Sequence, residues 1–273
     1  MSIKEELDSF FESEGVEYYA VLDYGVLREI NGNIMKRESF TPRSVVIFLI
    51  PYYTAEGKNI SRYAVSKDYH IIIREITDRL NERLRELFPS SSAKGYGDHS
   101  PIDERHAALI GGLGIVGDNG LLINEKYGSY VFVADSVTDI PAEQLGATAP
   151  AEIKECIHCG ECRRACPTGI LRAEGDSCLS YITQKKGELQ EWEAELMRRY
   201  NTAWGCDMCQ TCCPYNKKAK QTPIEFFYED NIDSLTEDTL KMMTDDEFKS
   251  RAFAWRGRGT VERNIRILAE NEK

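Results

Sequence analysis

The sequence predicts an α/β domain over residues 1–150, a compact cysteine-dense domain over 151–222 and a short helical tail over 223–273. Three observations carry this division. Helical and extended hydrophobic patterns alternate through the first 150 residues, which contain no cysteine. The stretch from Pro141 to Pro150, with its Ala, Gly and Thr, reads as a linker. All nine cysteines follow it.

Taken in order, Ile3 to Ser13 is amphipathic and predicts a helix, Glu17 to Leu22 is extended, and the apolar run Ser44 to Ile50 predicts a buried strand. A long helix follows at Asp68 to Phe88, where Ile71, Ile72, Ile76, Leu80, Leu84 and Leu87 form one stripe with charges opposite. That stripe reads as core packing. At Ser100-Pro101-Ile102-Asp103 a short helix starts, with Ser as cap, Pro in the first turn and acids at the positive end. Asp103, Glu104 and Arg105 then read as helix-start charges and surface pairs. Extended segments at Gly120 to Asn124 and Ser129 to Thr138 close the domain. A polar helix at Gln190 to Tyr200 interrupts the cysteine region, and the tail ends in short helices with a basic run, Arg251 to Arg266.

At 273 residues the chain is long enough for about two domains with real cores. No apolar run approaches the roughly 18–20 residues that span a bilayer, and the N-terminus lacks a signal peptide's apolar region, so a cytoplasmic protein is expected. The net charge of -11 opposes unspecific attraction to a phosphate backbone.

In a reducing compartment, closely spaced cysteines point to metal or redox chemistry rather than disulfides. Cys156-x2-Cys159-x2-Cys162-x3-Cys166-Pro167 matches the run of bacterial two-cluster ferredoxins, in which three thiolates hold one [4Fe-4S] cube and the fourth crosses to the other. A second set, Cys206-x2-Cys209-x3-Cys213-Pro214, lacks one ligand, and Cys178 is the upstream substitute. The crossing rule then assigns Cys156, Cys159, Cys162 and Cys213 to the first cluster and Cys166, Cys178, Cys206 and Cys209 to the second. Cys212 is left as a small packed side chain. Structural zinc is the competing reading, though two Cys-Pro endings argue against it. His158 sits inside a cluster loop, where it could tune a cluster by hydrogen bonding. Two neighbouring clusters conduct electrons, so an acceptor is needed, and the α/β domain is large enough to hold one.

Gly112-Leu113-Gly114-Ile115-Val116-Gly117 fits the GxGxxG pattern, but a dinucleotide fold needs a strand before the motif and a helix after it. Here a helical pattern precedes and the apolar Leu121-Leu122-Ile123 follows. Close backbone approach to a flat ligand is the better expectation.

Five further segments read together: Arg62-Tyr63-Ala64 with Asp68-Tyr69-His70, Asp98-His99-Ser100-Pro101 with Glu104-Arg105, Gly112 to Asn119, Cys178 to Thr183, and Gly205 to Asn216. In this order they resemble the motifs RYA-x-x-x-DYH, D-x-x-P-x-x-E-R, GLGWIGKN, CISYLT and GCDxCQxxCPxN of the epoxyqueuosine reductases, cobalamin-dependent iron-sulfur enzymes related to reductive dehalogenases. The resemblance implies base-off cobalamin in the α/β domain, cobalt reduced by the adjacent cluster, a flavodoxin or ferredoxin-type electron donor, and two-electron reduction of epoxyqueuosine to queuosine in tRNA or of a smaller related substrate. It implies Asp98 as proton donor and Arg62, Tyr63, Asp98, Gly112, Gly114 and Ser180 as cobalamin contacts. To donate at neutral pH, Asp98 must stay protonated above a carboxyl's ordinary pKa of about 3.9. Taken alone it reads as a turn carboxylate. His99 beside it reads as a packed or solvated histidine.

Two departures stand out. Gly117-Asp118-Asn119 replaces the family's GKN, and Ile115 stands where the family has tryptophan. The family's C-terminal helical-repeat domain, which helps hold tRNA, is expected to be missing, leaving Arg251, Arg256, Arg258, Arg263 and Arg266 as candidate phosphate contacts or ordinary surface charges. The alternative function is a non-catalytic two-cluster electron carrier.

Overall fold

The computed structural model describes residues 2–173, 175 and 177–270. They form two compact units. The first comprises Met1–Pro51, His70–Ile157 and Ala219–Ile224; the second comprises Tyr52–Tyr69, His158–Lys218 and Glu225–Lys273.

In the first unit, Ser2 and Glu5 close a capping box on α1 (Ile3–Ser13). The elements β1 (Tyr19–Asp23), α2 (Gly32–Met35), β2 (Ser44–Pro51), α3 (Tyr69–Leu87), β3 (Ala93–Gly97) and α4 (Glu104–Ile110) follow. A two-strand hairpin of β4 (Ile115–Val116) and β5 (Leu122–Ile123) leads into β6 (Val131–Thr138). The main sheet runs β1-β2-β6-β3, each pair antiparallel.

Every residue of β2 is buried, as its unbroken apolar run predicts for a central strand covered on both faces. On one face Val45, Ile47 and Leu49 pack with Ala107, Ala108 and Ile110 of α4. On the other, Phe48 meets Phe11 of α1 at 5.2 Å between ring centroids. Burying each such large side chain contributes about 1.5–3 kcal/mol. The α3 stripe consists of Ile72, Ile73, Ile76, Leu80 and Leu84, so Ile73 takes the place expected for Ile71. The strand β3 lacks an apolar signature because α3 lies directly on its backbone: a Cβ on Gly95 would stand 2.3 Å from the Thr77 Cβ.

The second unit gathers short helices: α5 (Glu161–Ala165), α6 (Leu179–Thr183), α7 (Glu191–Arg199), α8 (Met208–Thr211), α9 (Glu237–Met242), α10 (Asp245–Lys249) and α11 (Arg258–Ala269). Its core is built on fully buried Trp204 and Phe253, with Val65, Leu240, Phe248 and Val261 around them.

These units differ from a simple division at 150 and 222. Residues 52–69 join the cysteine-rich unit because Ile60 bridges Trp204 and because the Asn59 side chain brackets Leu235, donating to its carbonyl and accepting from its N–H. The tail belongs there too, since Phe253 packs edge-on to Trp204 at 6.1 Å. Among the described residues, no helix is long and apolar enough to cross a membrane.

Candidate active site

The first unit places Asp98 at the end of β3, in a left-handed turn with φ 67°. Asp is among the few side chains that adopt this region readily. Its carboxylate is half-exposed, with Oδ2 3.4 Å from His70 Nε2 at the start of α3. His99 is exposed.

Beneath the turn the structure departs from the surface-charge expectation. Asp103, not Ser100, caps α4, its Oδ1 accepting from the His106 N–H at 3.2 Å. Ser100 is buried. Glu104, the first residue of α4, turns inward, with its carboxylate near the Asp98 backbone N–H. Burial, then the nearby Asp135 and Asp98, push the Glu104 pKa well up. Asp135 is fully buried on β6, and burial raises its pKa as well. The Ser100 hydroxyl lies beside Asp135 without reaching hydrogen-bonding geometry. Sequence reasoning missed Asp135, although the signal was present. In Val131-x-Val133-x-Asp135-x-Val137 the aspartate falls on the apolar face of the strand.

The glycine loop folds back on its own unit. No helix follows it, as the rejection of a dinucleotide fold requires. A Cβ on Gly114 would stand 2.5 Å from the Ile123 carbonyl oxygen, and one on Gly112, at φ 75°, would stand 3.0 Å from the Ala151 Cβ. At both glycines the missing side chain lets the loop pass close to its own chain.

The second unit holds Arg62, Tyr63 and Ser180. Arg62 is buried and clasped by protein groups: Nη2 meets Glu56 at 2.7 Å, while Nη1 meets Thr211 at 3.1 Å and Asp207 at 3.4 Å. The Tyr63 hydroxyl accepts from Trp204 Nε1 at 2.8 Å. Ser180 Oγ accepts from Gln184 Nε2 at 3.1 Å. Asp207, beside Cys206, is the shared anchor, also accepting from the Ser61 hydroxyl at 2.5 Å and the Arg62 N–H at 2.7 Å. Arg62 and Tyr63 thus brace the loop that carries Cys206.

All nine cysteines are free of disulfides. Cys206 is raised to about 12, chiefly by burial and further by the neighbouring Cys178 and Cys166. Three sulfurs from separate segments thus converge where thiolates need a cation to neutralise them, which fits a metal cluster. At Cys166 burial is outweighed by the N–H groups of Leu171, Thr168 and Gly169 and by the Thr168 hydroxyl, so its pKa falls. Cys212 lies beside Cys162 and Cys213, and its Sγ faces the Cys209 carbonyl at 3.5 Å. Left-handed residues at His158, Gly160, Gly169 and Gly205 make the tight loops between ligands.

Two of the tail arginines proposed for phosphate face inward. Arg263 donates to the carbonyls of Lys185 at 2.7 Å and Gly187 at 2.5 Å, and Arg258 donates to Leu240 at 2.9 Å.

Comparison with known proteins agrees with this arrangement. Residues 155–216 match the family model of a 4Fe-4S double cluster binding domain, 125–171 match a 4Fe-4S dicluster domain, and 37–98 match the model Epoxyqueuosine reductase QueG. An epoxyqueuosine reductase of Synechocystis sp. is 33% identical over 77% of this chain and 75% of its own length. A crystal structure of epoxyqueuosine reductase with an epoxyqueuosine-modified tRNA-Tyr stem loop superposes with TM-score 0.78 at 25% identity, covering 97% of this chain and 80% of that one. A structure from Bacillus subtilis, its catalytic aspartate loop swung out of the active site, matches equally well, with TM-score 0.78 and 25% identity over the same shares. The catabolic reductive dehalogenase NpRdhA shares the fold at TM-score 0.50 and 17% identity, over 98% of this chain and 36% of its own. With two cluster motifs in a mixed α/β chain and this degree of likeness, the protein is an iron-sulfur oxidoreductase and belongs to the epoxyqueuosine reductase family.

Proposed function

We propose that this chain reduces epoxyqueuosine to queuosine in tRNA, using Asp98 as proton donor, two [4Fe-4S] clusters as the electron path and cobalamin at the substrate. Removing the epoxide oxygen consumes two electrons and two protons, leaves a carbon–carbon double bond and releases water. The electrons enter from a flavodoxin or ferredoxin-type donor. The architecture this implies is a cobalamin-binding-type reductase domain, a ferredoxin-like domain and a helical tail. When bound, cobalamin supplies low-valent cobalt able to deliver electrons to carbon.

The observation that carries the reading is Asp98 itself: a half-exposed carboxylate beside His70, on a left-handed turn with the buried Glu104 carboxyl beneath it. That placement fits a proton donor with one face open to a reacting group. The fit to cobalamin rests on Asp98 rather than on Gly112 and Gly114, whose side-chain space is already filled. For the clusters, we assign Cys156, Cys159, Cys162 and Cys213 to the first and Cys166, Cys178, Cys206 and Cys209 to the second. The mutual influence of Cys166, Cys178 and Cys206 supports the second set. A tRNA substrate is supported by the relative captured with a modified stem loop.

The test is anaerobic turnover of epoxyqueuosine tRNA by reconstituted protein, with nucleosides quantified by mass spectrometry and cob(II)alamin binding followed by electron paramagnetic resonance. The parent should form queuosine and show a base-off cobalt signal. Asp98→Asn should bind cobalamin and lose turnover by roughly a hundredfold or more. No queuosine from parent protein carrying both clusters and cobalamin would overturn the substrate, and full turnover by Asp98→Asn would overturn the donor assignment.

A further inference from the structure

We propose that Glu104 is a positioning residue, which shares one proton with Asp135 and thereby holds the Asp98 turn in its working conformation. This deepens the reading of Asp98 as proton donor and rests on it for its functional consequence.

The geometry begins with placement. Asp135 lies in register with Ile47 and Tyr96, on the sheet face covered by α4, where its neighbours along the strand are valines. Glu104 enters the same space from the first turn of α4. Both Asp135 oxygens and Glu104 Oε1 are buried without a hydrogen-bond partner. Two ionised carboxylates cannot persist there. Each would be stripped of water with no cation to offset it, and each would repel the other. One proton resolves both problems, since it removes one charge and turns one orphaned oxygen into a donor for another. Burial raises both groups, and the neighbouring Asp135 and Asp98 raise Glu104 further, so the proton is retained through neutral pH.

The Glu104 carboxylate also lies near the Asp98 backbone N–H, the group through which it would hold the turn. Asp98 holds a left-handed conformation that Asp tolerates but does not demand, so a buried group beneath it selects that conformation over others open to the turn. Around the pair stand Asp98 and Asp103 from the turn and cap, Ser100, Tyr96 from β3 and Tyr24 after β1, with His70 reaching Asp98 from α3. His106 of α4, whose Nδ1 is buried without a partner, is two residues further along the helix. No Lys or Arg is among the charges that act most strongly on the pair. Losing the shared proton at high pH leaves two adjacent anions, pushes Glu104 away and frees the Asp98 turn.

The test compares Glu104→Gln, Glu104→Leu and Asp135→Asn. Gln keeps an acceptor for Asp98 and a donor for Asp135; Leu keeps neither. Hydrogen–deuterium exchange of the peptide spanning the turn should accelerate roughly tenfold in Glu104→Leu and stay near parent in Glu104→Gln. Infrared spectroscopy of the parent should show a protonated carboxyl band, lost in Glu104→Gln and shifted in Asp135→Asn. In turnover, Glu104→Leu should lower kcat roughly tenfold or more with KM little changed, while Glu104→Gln restores it and removes the decline at high pH. Unchanged exchange at the turn in Glu104→Leu, or no protonated carboxyl in the parent, would overturn the proposal whatever Asp98 does. If Glu104→Leu does not fold, the infrared band and the high-pH behaviour of Glu104→Gln decide. Should Asp98→Asn keep full turnover while the exchange pattern appears as expected, the donor reading fails and the positioning by Glu104 stands.

Discussion

Gly205 and Ser61 approach so closely that a Cβ on Gly205 would stand 2.4 Å from the Ser61 Cβ. Gly205 is also left-handed, with φ 73°. Ser61 in turn donates to Asp207, so this contact sets the loop that delivers Cys206. Gly205→Ala should therefore cost about 1–2 kcal/mol from backbone conformation, with further loss from displacing Ser61. The expected outcome is a lower melting temperature together with reduced iron content, and a second-cluster resonance signal weakened more than the first.

The tail helix α11 makes a second support for that cluster. Asn264, fully buried, donates to the carbonyls of Thr183 at 2.7 Å and Ala203 at 2.8 Å, and the Thr183 hydroxyl accepts the Gly205 N–H at 3.0 Å. One side chain thus ties the helix after Cys178 to the loop before Cys206. Asn264→Leu removes the donor to the Ala203 carbonyl, leaves Thr183 only a 3.5 Å contact from Arg263, and takes from Arg263 the acceptor it holds at 2.7 Å, at a cost on the order of 2–4 kcal/mol. Redox titration should show the second cluster shifted or lost while the first keeps its potential.

The ligand partition makes opposite predictions for two cysteines that each precede a proline. Cys166→Ala should damage mainly the second cluster and Cys213→Ala mainly the first. Resonance spectra of the two reduced variants would show complementary losses; the reverse pattern would reassign the ligands.

Stability should depend on pH through Glu104. Its folded pKa is raised above the ordinary 4.5, so the native state holds a proton that the unfolded chain releases. Between those two values the native state binds more protons, and this group's contribution to stability falls as pH rises. Glu104→Gln carries no such penalty. Denaturant melts should find the variant gaining on the parent from pH 5 to pH 8, by on the order of 1–3 kcal/mol. A constant difference across that range would show that Glu104 is ionised in the folded protein.

Much of this chain was legible in its residues taken locally. Cysteine spacing announces the clusters because consecutive ligands must reach one small cube across two or three residues, a constraint written into neighbouring positions. The covered strand β2 and the helix α3 were equally plain, since their apolar periods are properties of short windows. Asp103 and Glu104 were both legible as helix-start acids, but Glu104 was taken for a surface charge, because local sequence does not say which side of a short helix meets the sheet.

What the sequence by itself determined, then, is the metal chemistry, the redox class and the principal strands and helices. Only the tertiary structure decided that Asp135 and Glu104 meet beneath Asp98, that the glycine loop packs on its own hairpin, and that residues 52–69 and the tail build the cysteine-rich unit. These are contacts between segments far apart in the chain. They depend on how strands pair and which faces are covered, and so on the burial of apolar surface in the whole fold rather than on any single window of residues.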